Sequence, residues 1–279
     1  MNMTEERKRE LEAKCLQFRK ELIDLLHEIQ TGHPGGSLSC AEILTTLYFD
    51  CMNHDPKHPK MEGRDRLILS KGHAAPMLYL VLAELGYFPK EELKTLRQLN
   101  SRLQGHPCAH KTPGVELSTG PLGLGLGAGV GMALAERLKN SDAYIYVILG
   151  DGECEEGGVW EAAMAASKFQ TTHCIAFLDH NGVQLDGTLE EIMPMGDFAA
   201  KWASFGWNVI SCNGHDVEEI ANAVAKAKEE TQKPSIVICE TVKGKGISFM
   251  EGKNIWHGKA IGDEDYKEAK KSWEERLHE

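Results

Sequence analysis

Two polar residues that could hold a metal each follow an apolar run of the chain. Asp151 lies between two glycines after the run 143–149, and Asn181 follows the run 173–178 and precedes a glycine. Both runs have the length of buried strands, and ligands of parallel α/β sheets bind beyond the carboxyl ends of the strands. Carboxylate and amide oxygens suit Mg²⁺ or Ca²⁺, and Mg²⁺ usually completes its shell with water and phosphate oxygens. We therefore expect a metal-bridged diphosphate between Asp151 and Asn181.

The order of predicted strands and helices along the chain indicates the fold that positions these residues. It is an α/β fold with three layers, α/β/α, around a mostly parallel sheet. Apolar runs predict strands at 66–70, 143–149, 173–178, 207–211 and 235–240. Helical patterns predict helices at 4–30, 39–49, 75–86, 89–98, 121–139, 156–168, 196–205, 216–230 and 263–277. Residues 100–121 are rich in Gly, Pro and His and predict a long irregular segment, which in a compact domain is often functional. Without a repeat or a linker, residues 1–279 are expected to form a single domain.

The composition of the chain argues against several classes of function. The net charge of −11 disfavours a nucleic-acid-binding protein, which needs clustered Lys and Arg. The eight cysteines are scattered without a CxxC pair, which disfavours a zinc site or redox dithiol and indicates a reducing compartment. The charged start of the chain contains no apolar signal core, and no stretch approaches the ~18 apolar residues of a membrane span. These features predict a cytoplasmic protein.

Five histidines have a glycine neighbour, which allows a sharp loop that aims an imidazole at a ligand. They are His33, His73, His106, His215 and His257. Gly-His pairs also occur in ordinary turns, so the pattern alone leaves a structural role open. The H-x3-H pairs 54/58 and 106/110 lack a third ligand, and we expect no metal there. The stretch GLGLGA at 123–128 matches a dinucleotide-binding fingerprint, but a polar loop rather than a strand precedes it, so that site is not expected.

Several motifs occur together in one order along the chain. They are TGHPGGS (31–37), RDRLILSKGHAAP (64–76), TPGVELSTGPLGLGL (112–126), the GDG motif followed by Asn181, and GKGISFMEGKNIWHGKA (244–260). The GDG…Asn pair resembles the cofactor signature of thiamine-diphosphate enzymes, and the whole set resembles the N-terminal third to half of transketolases. Two departures from that family are the GGS at 35–37, where Gly-Ala-Pro is associated with full-length members, and Lys71, where Asn is frequent.

The resemblance implies a role for each matching residue. Asp151, Asn181 and the carbonyl of Val183 would bind Mg²⁺ (Ca²⁺ could substitute), and Gly152 would lie against the diphosphate of thiamine diphosphate. The resemblance places Gly120, Leu122 and Leu185 at the cofactor's rings. His73 and His106 would hydrogen-bond the cofactor and the donor's hydroxyls. His33 and His257 would lie nearer the acceptor, where they would assist proton transfer or hold its phosphate. Glu156 resembles a buried carboxylate at the subunit interface. His215 is expected to be structural, and no role is expected for His54, His58, His110, His173, His180 and His278.

The resemblance also implies a partner. In transketolase-like proteins a Glu that contacts the aminopyrimidine ring belongs to a pyrimidine-binding domain, which packs across the subunit interface. No stretch of this sequence resembles that domain or the family's C-terminal domain. The sequence therefore resembles the N-terminal subunit of a split transketolase. It would transfer a two-carbon ketol unit from a ketose phosphate to an aldose phosphate within an α2β2 assembly, and it would be inactive alone.

Three alternatives remain. The α subunit of a 2-oxo-acid dehydrogenase also divides its cofactor site between chains, but the motifs GHPGGS, LSKGH and STGPLG favour transketolase. A deoxyxylulose-phosphate synthase-like fragment is disfavoured by LSKGH. A non-catalytic cofactor-binding module is disfavoured because Asp151, Asn181 and the four motif histidines are all present.

Overall fold

A computed structural model describes residues 3–276, with side chains through Trp273. Five strands form one sheet in which every neighbouring pair is parallel, and the spatial order is β1-β2-β3-β5-β4. The strands are β1 (Arg66–Leu69), β2 (Ile145–Gly150), β3 (Cys174–His180), β4 (Asn208–Asn213) and β5 (Ser235–Glu240). The predicted α/β class and parallel sheet are confirmed.

The strand register brings the two polar motifs to the same edge of the sheet. The last residue of β2, Gly150, pairs with Asp179 in β3, and Asp179 in turn pairs with Cys239 in β5. Asp151 and Asn181 therefore follow directly from neighbouring strands at their carboxyl ends, where open α/β sheets bind ligands.

Helices cover both faces of this sheet. They are α1 (Glu5–Ile29), α2 (Pro34–Ser39), α3 (Ala41–Thr46), α4 (Ala75–Leu85), α5 (Gly125–Leu138), α6 (Gly157–Lys168), α7 (Leu189–Ile192), α8 (Phe198–Ser204), α9 (Val217–Glu229) and α10 (Asp263–Arg276). Successive side chains of β2 point to opposite faces. Tyr146 and Ile148 pack in one core with α1, α3, α4 and α9, whereas Val147 and Leu149 pack in the other with α5, α6 and α8.

The predicted elements differ from the structure mainly around the motifs. The predicted loop at 31–37 contains α2, because Pro34 occupies the first turn of a helix, where its missing N–H costs nothing. The predicted helix 39–49 is interrupted near Cys40 and ends in one π-helical turn, Leu47–Cys51. Helix 89–98 is reduced to a 3₁₀ segment, Lys90–Thr95.

Most other boundaries lie within a few residues of the prediction. The predicted helix 121–139 begins only at Gly125, after Gly123 adopts φ +83°, a left-handed conformation that suits glycine. No strand precedes this helix within residues 101–124. The last helix is described to Arg276, and position 277 of its predicted range lies outside the described residues.

Neither a membrane span nor a disulfide is found in the described part of the chain. Across residues 3–276, no helix is both long enough and apolar enough to cross a bilayer. All eight cysteines are free, and six of them are buried. The sulfur atoms of Cys212 and Cys239 lie side by side at 3.7 Å on the paired strands β4 and β5.

Candidate active site

Asp151 is a buried carboxylate beyond the end of β2, with 3% of its surface exposed. Its Oδ1 accepts from the backbone N–H of Gly152 at 2.8 Å, and its Oδ2 accepts from that of Gly182 at 2.6 Å. No Lys, Arg or His of the described chain forms an ion pair with it. Burial raises the pKa of Asp151, and the nearby charge of Asp179 raises it further. A buried carboxylate without a counter-ion fits a bound cation.

Two further oxygens lie on the loop that Gly182 belongs to. Oδ1 of Asn181 accepts from the backbone N–H of Val183 at 3.2 Å. The carbonyl of Val183 accepts from Nζ of Lys243 at 2.8 Å. Carboxylate, amide and main-chain carbonyl oxygens form the donor set that suits Mg²⁺. The residues present therefore fit the expected metal.

These groups line a cavity of about 200 Å³. Asp151, Gly152, Asn181 and Val183 line it together with His73 and His257. Leu122 and Leu185 also line it and remain 39% and 57% exposed, so apolar surface is available to a flat ring. Gly120 lies at its side with φ +142°, and a Cβ there would come within 3.2 Å of the His106 ring. The structure thus brings most of the residues expected to bind the cofactor into one place.

Two buried lysines line this cavity. Lys243 is 2% exposed and donates to Val183, and its Nζ also lies 3.0 Å from Nδ1 of His257. Burial and the charge of Lys71 together lower the pKa of Lys243 to about 8. Lys71 is 1% exposed and forms an ion pair with the fully buried Asp179. Lys71 is therefore neutralised, and Lys243 is the cation in this lining that would attract an anionic ligand such as a diphosphate.

The Lys71–Asp179 pair is surrounded by further hydrogen bonds. Nζ of Lys71 donates to the carbonyl of Gly36 at 2.9 Å, and the Ser39 hydroxyl donates to Asp179 at 2.6 Å. Burial disfavours both charges, but the attraction between them prevails: Asp179 raises the pKa of Lys71, and Lys71 lowers the pKa of Asp179. The pair therefore ties α2 to the ends of β1 and β3.

Glu153 is a buried carboxylate in the acidic run that follows Asp151. This side chain is 2% exposed and accepts hydrogen bonds from the N–H groups of Gly123 at 2.9 Å and Gly150 at 3.1 Å. Burial raises its pKa. Glu156, the carboxylate that the sequence singled out, is exposed in this chain, so its burial would require another subunit.

Four histidines form a cluster beside the cavity. The ring centroid of His33 lies 5.6 Å from that of His73, 6.0 Å from His106 and 5.5 Å from His257, and the rings of His73 and His257 are 4.7 Å apart. His33 and His106 stand next to the cavity rather than in its lining, and His106 is exposed. Gly36 makes room for this cluster, because a Cβ there would come within 2.6 Å of Nε2 of His73.

The cluster is held largely uncharged at neutral pH. Burial and the nearby charge of Arg97 together lower the pKa of His33 to about 4. Burial and the charge of Lys243 together lower that of His257 to about 3. Burial also lowers the pKa of His73, well below its ordinary value, and that of His106. Neutral imidazoles can donate or accept hydrogen bonds, as contacts to sugar hydroxyls require.

The remaining histidines have structural surroundings. Nε2 of His215 accepts from the backbone N–H of Val242 at 2.8 Å, and Nδ1 lies 2.9 Å from Glu42. His54 bridges Tyr48 and Tyr87. His278 lies outside the described residues. Among residues 3–276 no cluster of three or more His, Cys, Asp or Glu side chains is arranged to hold a metal.

Sequence reasoning missed four groups at this site. It assigns no role to Lys243, Asp179, Glu153 and Arg97, and it treats Lys71 only as a departure from a family pattern. Lysines and carboxylates are normally solvated, so their burial is not visible in a single sequence. Asp179 does carry a weak signal, because it lies near the end of an otherwise apolar strand, but the exposed Glu240 ends β5 in the same way.

Comparisons with known proteins identify the family of this chain. A family model described as "Transketolase, thiamine diphosphate binding domain" matches residues 12–277. The 6-deoxy-6-sulfo-D-fructose transketolase subunit SqwG of Clostridium sp. (strain MSTE9) is 44% identical over 93% of this chain and 94% of its own. One subunit of the apulose-4-phosphate transketolase of Phocaeicola vulgatus is 40% identical over 96% of this chain and 95% of its own.

Solved transketolases share the fold. The enzyme from Leishmania mexicana superposes with a TM-score of 0.89 at 32% identity, over 95% of this chain and 41% of that one. The enzyme from Campylobacter jejuni gives a TM-score of 0.89 at 35% identity, over 97% and 43%. The chain spans about two fifths of these longer proteins, but nearly the full length of the two subunits. The chain belongs to the transketolase family, in which it corresponds to the thiamine-diphosphate-binding domain.

Proposed function

We propose that this chain is the diphosphate-binding subunit of a split transketolase, with residues 1–279 as a single domain. It would transfer a two-carbon ketol unit reversibly from a ketose phosphate to an aldose phosphate. The observation that carries the proposal is Asp151: a buried carboxylate without a counter-ion in the described chain, beside Asn181 and Val183 and opposite Lys243. That arrangement supports binding of a metal and a polyanion together.

Each residue has a proposed task toward thiamine diphosphate and Mg²⁺. Asp151, Asn181 and the Val183 carbonyl would hold the metal, and Lys243 and the backbone at Gly152 would face the diphosphate. Leu122 and Leu185 would pack on the rings beside Gly120. Bound thiamine diphosphate supplies the electron sink that makes carbon–carbon bond cleavage next to a carbonyl possible. The cluster of His33, His73, His106 and His257 would orient the hydroxyl and carbonyl oxygens of the sugars.

The proposal includes a partner subunit. Two relatives that match this chain over nearly their whole length are named as subunits, whereas the chain spans two fifths of the longer solved transketolases. The partner would carry the pyrimidine-binding domain and its activating Glu, and it would cover Glu156, Leu122 and Leu185. We propose an α2β2 assembly with two composite sites, in the cytoplasm.

The substrate is proposed to be a sugar with an anionic end group. The names of the two relatives describe a sulfonate-bearing and a phosphate-bearing sugar. Two cationic side chains, Lys243 and Arg97, flank the histidine cluster on this chain. Assays should therefore offer ketoses that end in a phosphate and in a sulfonate.

The proposal is tested by purifying the chain with and without its partner and measuring ketol transfer with thiamine diphosphate and Mg²⁺. Turnover should require both chains. Robust transfer by the isolated chain would refute the division of the site. Oxidation of a 2-oxo acid by the complex, without ketol transfer, would instead support the dehydrogenase alternative, and cofactor binding without any turnover would support a non-catalytic module.

A further inference from the structure

Arg97 is an exposed residue at the solvent edge of the histidine cluster, with its guanidinium directed at His33. Its backbone adopts φ +64°, and its backbone N–H donates to the carbonyl of Leu103 at 2.9 Å. The side chains of Leu96 and Leu103 are both buried. Its guanidinium packs over Gly105, where an added Cβ would come within 3.1 Å of Cζ. The left-handed backbone and the close packing together aim the guanidinium at His33.

The guanidinium makes two side-chain hydrogen bonds and has no carboxylate partner in the described chain. One Nη is 3.2 Å from Oγ1 of Thr31, and the other is 3.2 Å from Nδ1 of His33. Arginine has only donors and stays protonated, so Nδ1 of His33 must be the acceptor. A neutral ring that accepts at Nδ1 carries its single proton on Nε2.

Nε2 of His33 is on the side of the ring that lies toward Gly258. It lies about 4 Å from the position of a Cβ at Gly258, the residue after His257, and no protein group of the described chain hydrogen-bonds to it. The charged and titratable groups around the ring are Arg97, Lys243, His73, His106 and His257. Burial disfavours a positive charge on His33, and so do Arg97, His106 and Lys243. Lys243 acts on His257 as Arg97 acts on His33. The Lys243 ammonium can only donate, so Nδ1 of His257 must accept.

We propose that Arg97 is a positioning residue that fixes His33 as a neutral imidazole with its proton on Nε2, ready to donate a hydrogen bond to a sugar oxygen. In this form His33 is not a general base, because its only free nitrogen already carries the proton. It stabilises negative charge on the oxygen that it contacts without transferring a proton. The identity of the ligand as a sugar rests on the proposed function, whereas the protonation state of the His33 ring does not.

The direct test is nitrogen NMR of the full chain in complex with its partner, labelled in the histidine rings. His33→Asn identifies the His33 signals. The wild-type protein should show a bare Nδ1 and a protonated Nε2 through neutral pH. Arg97→Met should give a mixture of tautomers and raise the pKa of His33, whereas Arg97→Lys, which keeps a donor, should restore the Nε2–H form. Arg102→Met is the matched control, because Arg102 lies in the same loop and pairs with Glu92.

Kinetics gives a second readout. Arg97→Met should lower kcat/KM for ketol transfer by about 10-fold to 100-fold, as expected for loss of a hydrogen bond to a charged group, with the Kd for thiamine diphosphate unchanged. A wild-type His33 protonated on Nδ1, or an Arg97→Met variant with unchanged tautomer and pKa, would overturn the proposal. The NMR result needs no turnover, so the absence of ketol transfer would refute the proposed function while leaving this assignment open to its own test.

Discussion

Lys71 and Asp179 form an ion pair that is sealed from solvent between α2 and the ends of β1 and β3. Two hydroxyls, of Ser39 and Thr241, donate to the carboxylate, and the Gly36 carbonyl accepts from the ammonium. A buried pair satisfied in this way is costly to break on one side, because the remaining charge has no partner. The pair explains why a lysine is accommodated where the family frequently has an asparagine.

The first prediction concerns this pair. Lys71→Met should lower the free energy of unfolding by about 3–5 kcal/mol, since it leaves Asp179 buried without a cation. Lys71→Met combined with Asp179→Asn should recover much of that loss. Urea unfolding monitored by circular dichroism measures both. Lys267→Met, in an exposed pair with Glu264, is the control and should change stability by less than about 0.5 kcal/mol. Equal loss in the single and double variants would argue against a charge effect.

The second prediction concerns Lys243 as a ligand for the diphosphate. Lys243→Met should weaken thiamine diphosphate binding by about 10-fold to 100-fold, because a charge-assisted hydrogen bond is lost. The pKa of about 8 adds a pH signature. Above that pH the free amine is neutral, so wild-type affinity should fall between pH 7 and 9, and the variant should lose this slope. Calorimetric titrations across that range measure it, with the exposed Lys253→Met as control. A wild-type slope retained in Lys243→Met would exclude this role.

The third prediction concerns Gly36, within the GGS that departs from the family pattern. A methyl group at this position would meet Nε2 of His73 at 2.6 Å, so Gly36→Ala should displace that ring. We expect ketol transfer to fall by about 10-fold, with a smaller effect on stability. Steady-state kinetics of the complex measures the change. Gly262→Ala, where the nearest atom is 3.6 Å away, is the matched control. Full activity in Gly36→Ala would show that His73 is not held by this contact.

The fourth prediction follows from the depressed pKa of the histidines. His33 has a pKa of about 4 in the folded chain against an ordinary value of 6.5, so the unfolded state binds more protons between these values. The free energy of unfolding should therefore keep its full value above about pH 6.5 and decrease as the pH falls toward 4. His33→Asn should make this decrease shallower, whereas the exposed His110→Asn should not. Urea unfolding at pH 7 and pH 5 decides the matter, and an identical decrease in both variants would contradict it.

The sheet and its carboxyl edge could be predicted from sequence, because apolar runs and the βα alternation have a direct physical basis in burial. The last strand, 235–240, is predicted without error. Asp151 and Asn181 could be placed together for the same reason, since each follows a strand of one parallel sheet.

The rest depended on contacts between distant parts of the chain. Nothing near Lys71 in sequence shows that it meets Asp179, 108 residues away. The helix at Pro34 is short and glycine-rich, so its local sequence reads as a loop, and burial of all six residues stabilises it. Glu153 and Glu156 are alike in sequence, and only the fold distinguishes the buried carboxylate from the exposed one.

The most direct test of the account is the binding of thiamine diphosphate to the chain in complex with its partner, measured by calorimetry with Mg²⁺ and with a chelator. Binding should require Mg²⁺, and Asp151→Asn should weaken it by about 10-fold to 100-fold and reduce the dependence on Mg²⁺, because the one anionic side chain of the proposed ligand set is lost. The exposed Asp186→Asn, in the same loop as Val183, should bind as the wild type does. Wild-type affinity and an unchanged dependence on Mg²⁺ in Asp151→Asn would contradict the central claim that this carboxylate holds the metal.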